Sequence, residues 1–210
     1  MTTHSAAERA ALVEALRAAG PDAPTLCEGW TAHDLAAHLV ARERRPDSTP
    51  GLLVPALASW TERVRKDLAR RAYPDLLDQI AGGPPWTSLF ALPGVDATVN
   101  LGEHFVHCED VRRAAPSWAP RAISDQRQLA LWKLLGSRGK LLLRKSPVPV
   151  TLATPDGRTI QARAGDGGVR LTGEPAELML YAYGRGAYAR VQVDGSADAL
   201  RRFEQVSFGV

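Results

Sequence analysis

Cysteine is scarce in this 210-residue sequence: Cys27 and Cys108 are its two thiols, too few for a disulfide scaffold. Long apolar runs are missing as well. The most hydrophobic stretches, 129–135 and 177–183, fall far short of the roughly 20 residues a membrane-spanning helix needs. The first seventeen residues have no basic start leading into an apolar run, so no secretory signal is expected. These absences point to a cytoplasmic protein with no membrane partner. Aromatics make up 6% of the chain and lysine occupies only four positions. Arginine therefore carries the basic residues, and the net charge is only +3. Acidic residues are interspersed among them, so the clustered basic face of a nucleic-acid binder is lacking and no nucleic-acid partner is expected. What is present is an ordinary globular share of hydrophobic residues, 45%, which excludes wholesale disorder.

The first two-thirds reads as helix. Ser5 and Glu8 have capping-box spacing, predicting a helix over 5–19 that stops at Gly20-Pro21. Thr31 is the expected N-cap of a second helix ending near Arg45-Pro46, with Asp34 complementing its dipole. Apolar periodicity predicts a third helix over 55–71, then a short helix and loop over 73–90, then helices over 95–114 and 124–143. Helices of this number and length make a bundle. After Lys145 the pattern changes. Strands are expected at 148–153, 159–163, 169–172 and 189–194, with helices at 174–183 and 197–205. That order describes a small α+β unit.

Four of the five histidines fall on two helices. Asp34, His38 and Arg42 recur every four residues and share one stripe. Glu103 and His107 are also four apart, with Asp110 three further on. An i, i+4 ligand pair grips one metal ion, and a histidine from the other helix completes a two-histidine, one-carboxylate set with an open position, as in catalytic sites. Asp110 is placed to orient the His107 ring. His104 is the competing ligand, about 100° around the helix from Glu103. His33 is expected to be exposed, Cys108 to be a buried structural thiol, Cys27 to pack, and Trp60, Trp132 and Tyr181 to be core. Arg42, one turn from His38, is the candidate clamp for an anionic group, and Arg45 would extend it.

The segments Trp30-x-x-x-Asp34-Leu35-x-x-His38 and Glu103-x-x-x-His107-x-x-Asp110 resemble the two signature helices of the mycothiol-dependent maleylpyruvate isomerase-like proteins, within the wider DinB-like metal-binding bundles. The tail 169–185 resembles their C-terminal domain. The resemblance implies a DinB-like four-helix bundle over 1–145 and a small sterol-carrier-like α+β domain over 146–210. It makes His38, Glu103 and His107 the ligands of a divalent metal, normally zinc, and places Arg185 facing the active site. More narrowly, the chain resembles an uncharacterised metal-binding subfamily, and its 41–47 extension departs from the isomerase itself.

The leading expectation is a metal- and mycothiol-dependent isomerase or thiol transferase. The metal would activate the thiol sulfur for addition to a small electrophile, with Arg42 and Arg185 orienting its anionic groups and Arg42 and Arg45 holding the cofactor. Its partners would be a small-molecule thiol and a substrate, in a monomer or homodimer. Two alternatives stand beside it. One is a metal-assisted hydrolase with Glu109 or Asp110 as base. The other is a non-catalytic ligand-binding or sensor module whose structural metal takes a fourth ligand, His104 being the candidate.

Overall fold

Helix α2 (Ala32–Arg44) is buried over most of its circumference: Leu35, Ala36, Ala37, Leu39 and Val40 are all at most 1% exposed. Its alanines let neighbouring helices approach closely. It packs against α3 (Ala58–Leu68) and α4 (Tyr73–Ala81), while α1 (His4–Ala19) lies mainly along α5 (Leu101–Arg112). The chain is described by a computed structural model over residues 3–45, 47, 58–86, 88–91 and 99–209. Position 46 of the expected 41–47 extension, and the starts of the expected 55–71 and 95–114 helices (55–57 and 95–98), lie outside those residues.

Local sequence explains the helix ends. Thr3, extended at ψ 157°, caps α1 by accepting from the Ala6 N–H. This corrects the expected Ser5–Glu8 box: both residues lie inside the helix and are buried. For α2 the Thr31 hydroxyl accepts from the Asp34 N–H and the Asp34 carboxylate accepts from the Thr31 N–H, a complete capping box. Ser124, the expected cap of the next helix, makes no side-chain cap bond.

Residues 121–210 form a second compact unit, and residues 1–120 the first. The second holds α6 (Asp125–Leu142), β1 (Val150–Ala153), β2 (Thr159–Arg163), β3 (Val169–Thr172), α7 (Pro175–Ala182), β4 (Gln192–Gly195) and α8 (Ala197–Glu204). Its sheet runs β2-β1-β3-β4, with β1 antiparallel to β2, parallel to β3, and β3 antiparallel to β4. The β1–β2 hairpin turns at Gly157, whose φ of 89° suits glycine. Val150, Leu152, Val169 and Leu171 supply the buried face.

The division lies a helix earlier than the expected 145/146 boundary. The reason is α6: a Cβ on Gly139 would lie 3.6 Å from the Ala162 side chain and 3.7 Å from Leu152, ordinary van der Waals contact, so this face of α6 rests directly on the sheet. Helix α6 therefore packs on β2 and α7. Periodicity reveals a helix but not which core it joins.

The aromatic expectations divide. Trp132 is 8% exposed, but Trp60 is 41% exposed and is not core. Tyr181 is half-buried and stacks on Phe203 at 6.2 Å. No helix among the described residues is long and apolar enough to cross a membrane.

Candidate metal centre

Glu103 enters the first turn of α5 and His107 follows one turn later, so both project from one face toward α2. His38, in the middle of α2, meets them. Glu103 Oε1 lies 3.5 Å from His38 Nε2 and 3.2 Å from His107 Nε2. The three donor atoms lie within 4.8 Å of one another. Donors about 2.0–2.1 Å from a tetrahedral ion sit about 3.3 Å apart, so both nitrogen–oxygen separations suit a shared ion. The donor chemistry also fits: two imidazole nitrogens and one carboxylate are borderline ligands suited to a divalent transition metal.

The surroundings hold these rings. His107 Nδ1 lies 2.9 Å from Asp110 Oδ2, which directs Nε2 toward Glu103. The His38 ring packs on Trp30 at 5.1 Å, and Arg65 lies over the other ring at 5.0 Å from the Trp30 centroid. Arg65 is in turn paired with Asp34 and Glu62. Burial and these partners set the charges. Burial lowers the His38 pKa below its ordinary value. Burial opposes charge on Glu103, but Arg42 and the two histidines hold its carboxyl well below the usual range. Burial opposes charge on His107 too, yet hydrogen bonds to Asp110, Cys27 and Glu103 carry it well above the ordinary histidine value. These shifts all favour a neutral His38, an anionic Glu103 and a cationic His107.

Other expected site residues lie differently. Arg42 is 5% exposed, and its guanidinium is already engaged: Nε is 3.4 Å from Glu103 Oε1, Nη1 donates to Asn100 Oδ1 at 2.9 Å, and the group lies 4.2 Å from the Phe90 centroid. It thereby holds the Glu103 carboxylate, and the anion clamp expected of Arg42 would share this guanidinium. Arg45, expected to extend the clamp, donates to the Asp47 carboxylate through two hydrogen bonds of 2.9 and 2.8 Å. Arg185 belongs to the second unit, where it donates to the Tyr183 carbonyl at 2.6 Å.

His104 points away to Glu43, 3.1 Å distant and fully buried, and joins no metal-binding group among the described residues. Glu109, also buried, pairs with Arg113 at 2.6 Å. Cys108 is buried as expected, but His33 is half-buried, with its ring edge on Tyr73 and Nε2 3.0 Å from the Arg71 carbonyl. Cys27 does more than pack, since its Sγ donates to Asp110 Oδ2 at 3.2 Å. Asn100, Phe90 and Arg65 were not singled out as site residues. Phe90 lies in the short helical turn Leu89–Ala91 and Arg65 on α3, so no sequence period links them to His38 or Glu103, whereas Trp30 opens the His38 motif and Asn100 occupies the α5 N-cap three residues before Glu103.

Fold and site together define a helical bundle bearing a candidate metal centre, followed by a small α+β unit. Residues 2–85 match the family model for the mycothiol maleylpyruvate isomerase N-terminal domain, a stretch that contains His38 but ends before Glu103. The fold is similar to the crystal structure of the mycothiol-dependent maleylpyruvate isomerase, with TM-score 0.56 at 14% identity over 92% of this chain and 90% of that one. A histidine-to-alanine mutant of that enzyme gives TM-score 0.61 at the same identity and coverage. No curated protein matches the sequence. The chain is thus similar to the mycothiol-dependent maleylpyruvate isomerase-like family, by a family-model match within its first unit and by fold over most of its length.

Proposed function

We propose that this protein is a divalent-metal- and mycothiol-dependent enzyme of the cytoplasm, an isomerase or thiol transferase acting on a small, anionic electrophile. The observation that carries the reading is the convergence of His38 Nε2, Glu103 Oε1 and His107 Nε2 within 4.8 Å on two facing helices. A divalent ion there, zinc by its donor set, would lower the pKa of a coordinated thiol. His38 and His107 present their Nε2 atoms to the site. Asp110 fixes the His107 ring, Trp30 backs the His38 ring, and Arg42 keeps Glu103 anionic and in place. Three protein ligands leave a coordination position for an exogenous group, the arrangement of catalytic rather than structural sites. The family match over residues 2–85 supports mycothiol as the thiol. In this reading Arg185 binds the anionic group of the substrate, as the family resemblance implies.

The observed side chains favour this over the alternatives. A hydrolase would need Glu109 or Asp110 as a base, but Glu109 is held by Arg113 and Asp110 by His107 and Cys27. A four-ligand structural site built on His104 conflicts with its pairing to Glu43. The test is turnover of maleylpyruvate and related unsaturated dicarboxylates by metal-loaded protein, with and without mycothiol. The expected result is isomerisation or adduct formation only with the thiol, and Arg185→Ala should raise KM more than it lowers kcat. Thiol-independent hydrolysis would contradict the proposal.

A further inference from the structure

We propose that the Cys27 thiol is a positioning residue of the metal centre: acting through Asp110, it fixes the His107 ring in the tautomer that carries hydrogen on Nδ1 and turns Nε2 toward Glu103 and His38. The inference rests on the reading of His38, Glu103 and His107 as metal ligands and extends it to the loop before α2.

That loop is built to deliver the thiol. Pro24 and Thr31 form an isolated antiparallel bridge that closes it. Inside the closure the Thr25 hydroxyl accepts from the Cys27 N–H at 3.2 Å and donates to the Trp30 carbonyl at 2.9 Å. The loop is pinned to α5 at the residue it serves, because the Leu26 N–H donates to the Asp110 carbonyl at 3.0 Å. Cys27 Sγ then donates to Asp110 Oδ2 at 3.2 Å, and that same oxygen lies 2.9 Å from His107 Nδ1. The Asp110 carboxylate is fully buried. A buried carboxylate needs donors on its oxygens, and two donors from different elements define its rotation as one cannot.

Cys27, His107 and Asp110 themselves bring ligand atoms within 4.8 Å of one another, but the geometry separates Cys27 from an ion held on the His38 and Glu103 side of the ring. Sγ is 3.9 Å from His107 Nδ1, so it stands on the opposite side of the ring from Nε2. An ion bound at Nε2 lies beyond the reach of Sγ, since a zinc–sulfur bond is about 2.3 Å long. Cys27 therefore belongs to a thiol–carboxylate–imidazole chain that ends at the metal. The same loop supplies Trp30 to His38, so one closed segment orients both histidines.

Two measurements test this. The first is the nitrogen-15 signature of His107 in metal-free protein, by long-range proton–nitrogen NMR at alkaline pH where the ring is neutral. Wild type should show the Nδ1–H tautomer, Cys27→Ala a mixture, and Cys27→Ser, which restores a donor, a return toward wild type. The second is zinc affinity by chelator competition. Partners beyond the ligands are worth about 10–100-fold in metal affinity, so Cys27→Ala should weaken binding by about 10-fold and Cys27→Ser by less. An unchanged His107 tautomer in Cys27→Ala overturns the inference whatever the affinity. So does a cobalt(II)–thiolate absorption band that disappears with Cys27, because the thiol would then be a ligand. A wild type that binds no zinc would refute the metal reading instead, and the NMR comparison would still decide the role of Cys27.

Discussion

Glu103 Oε1 is the atom on which His38, His107 and Arg42 converge, at 3.5, 3.2 and 3.4 Å. Its neighbours' charges make metal uptake pH-dependent in a defined direction. Burial disfavours charge on His107, but its hydrogen bonds raise its pKa well above 6.5, so the ring is protonated at neutral pH. His38, lowered by burial, is already neutral there. An ion must displace the His107 proton, so apparent affinity should rise with pH until the raised His107 pKa is passed and then level off. Calorimetry in buffers of different ionisation enthalpy should record release of about one proton per ion at pH 7. Arg42→Met should lower stability by about 1.5–3 kcal/mol in denaturant unfolding, since it removes charge-assisted bonds to Glu103 and Asn100. An unchanged unfolding midpoint would show that Arg42 does not hold the site. The i, i+4 and i, i+3 spacings on α5 made its part of the cluster legible from sequence. Phe90 and Cys27 were not legible, because a short helical turn and a loop bring them in without a sequence period, and Asn100 at the α5 N-cap carries no charge to mark it.

At the scale of elements, the start of α2 links folding to the site. Asp34 closes the Thr31 capping box and pairs with Arg65, which covers the Trp30 ring behind His38. Burial raises the Asp34 pKa, but Arg65 and Thr31 more than offset it, and the net value falls below 3.8. A lowered carboxyl contributes stability above its unfolded pKa and loses it as pH falls through the folded value. Asp34→Ala should therefore cost about 1 kcal/mol at pH 7. The deficit should shrink below pH 3.8, as thermal melts across pH would report. In the second unit Gly168 sits in tight backbone surroundings, where a Cβ would come within 2.1 Å of the Pro149 carbonyl oxygen. Gly168→Ala should destabilise by about 1–3 kcal/mol or more. The Thr31 cap was readable from sequence because cap and partner lie three residues apart. The Thr3 cap was missed because Ser5–Glu8 carries the full capping-box spacing, whereas Thr3 has Ala6 three residues on and caps with its hydroxyl alone.

Across the whole molecule, two units of different architecture share one chain, and α6 decides where they part. Strand and helix order after Lys145 was clear from alternation and turn residues, so the α+β unit could be read in outline. Its first helix could not be assigned, because α6 looks like one more helix of the bundle until Gly139 is seen against Ala162. A fragment of residues 121–210 should unfold cooperatively, whereas 146–210 should not, having lost the helix that packs on β2 and α7. Circular dichroism melts of both fragments would check this, and a cooperative 146–210 would restore the later boundary. Whether His38, Glu103 and His107 together hold a divalent ion is decided by elemental analysis of reconstituted, desalted protein. Wild type and His104→Ala should carry roughly one ion per chain, and folded His38→Ala, Glu103→Ala or His107→Ala almost none. Wild type without stoichiometric metal, or His38→Ala with undiminished metal, would contradict the three-ligand site.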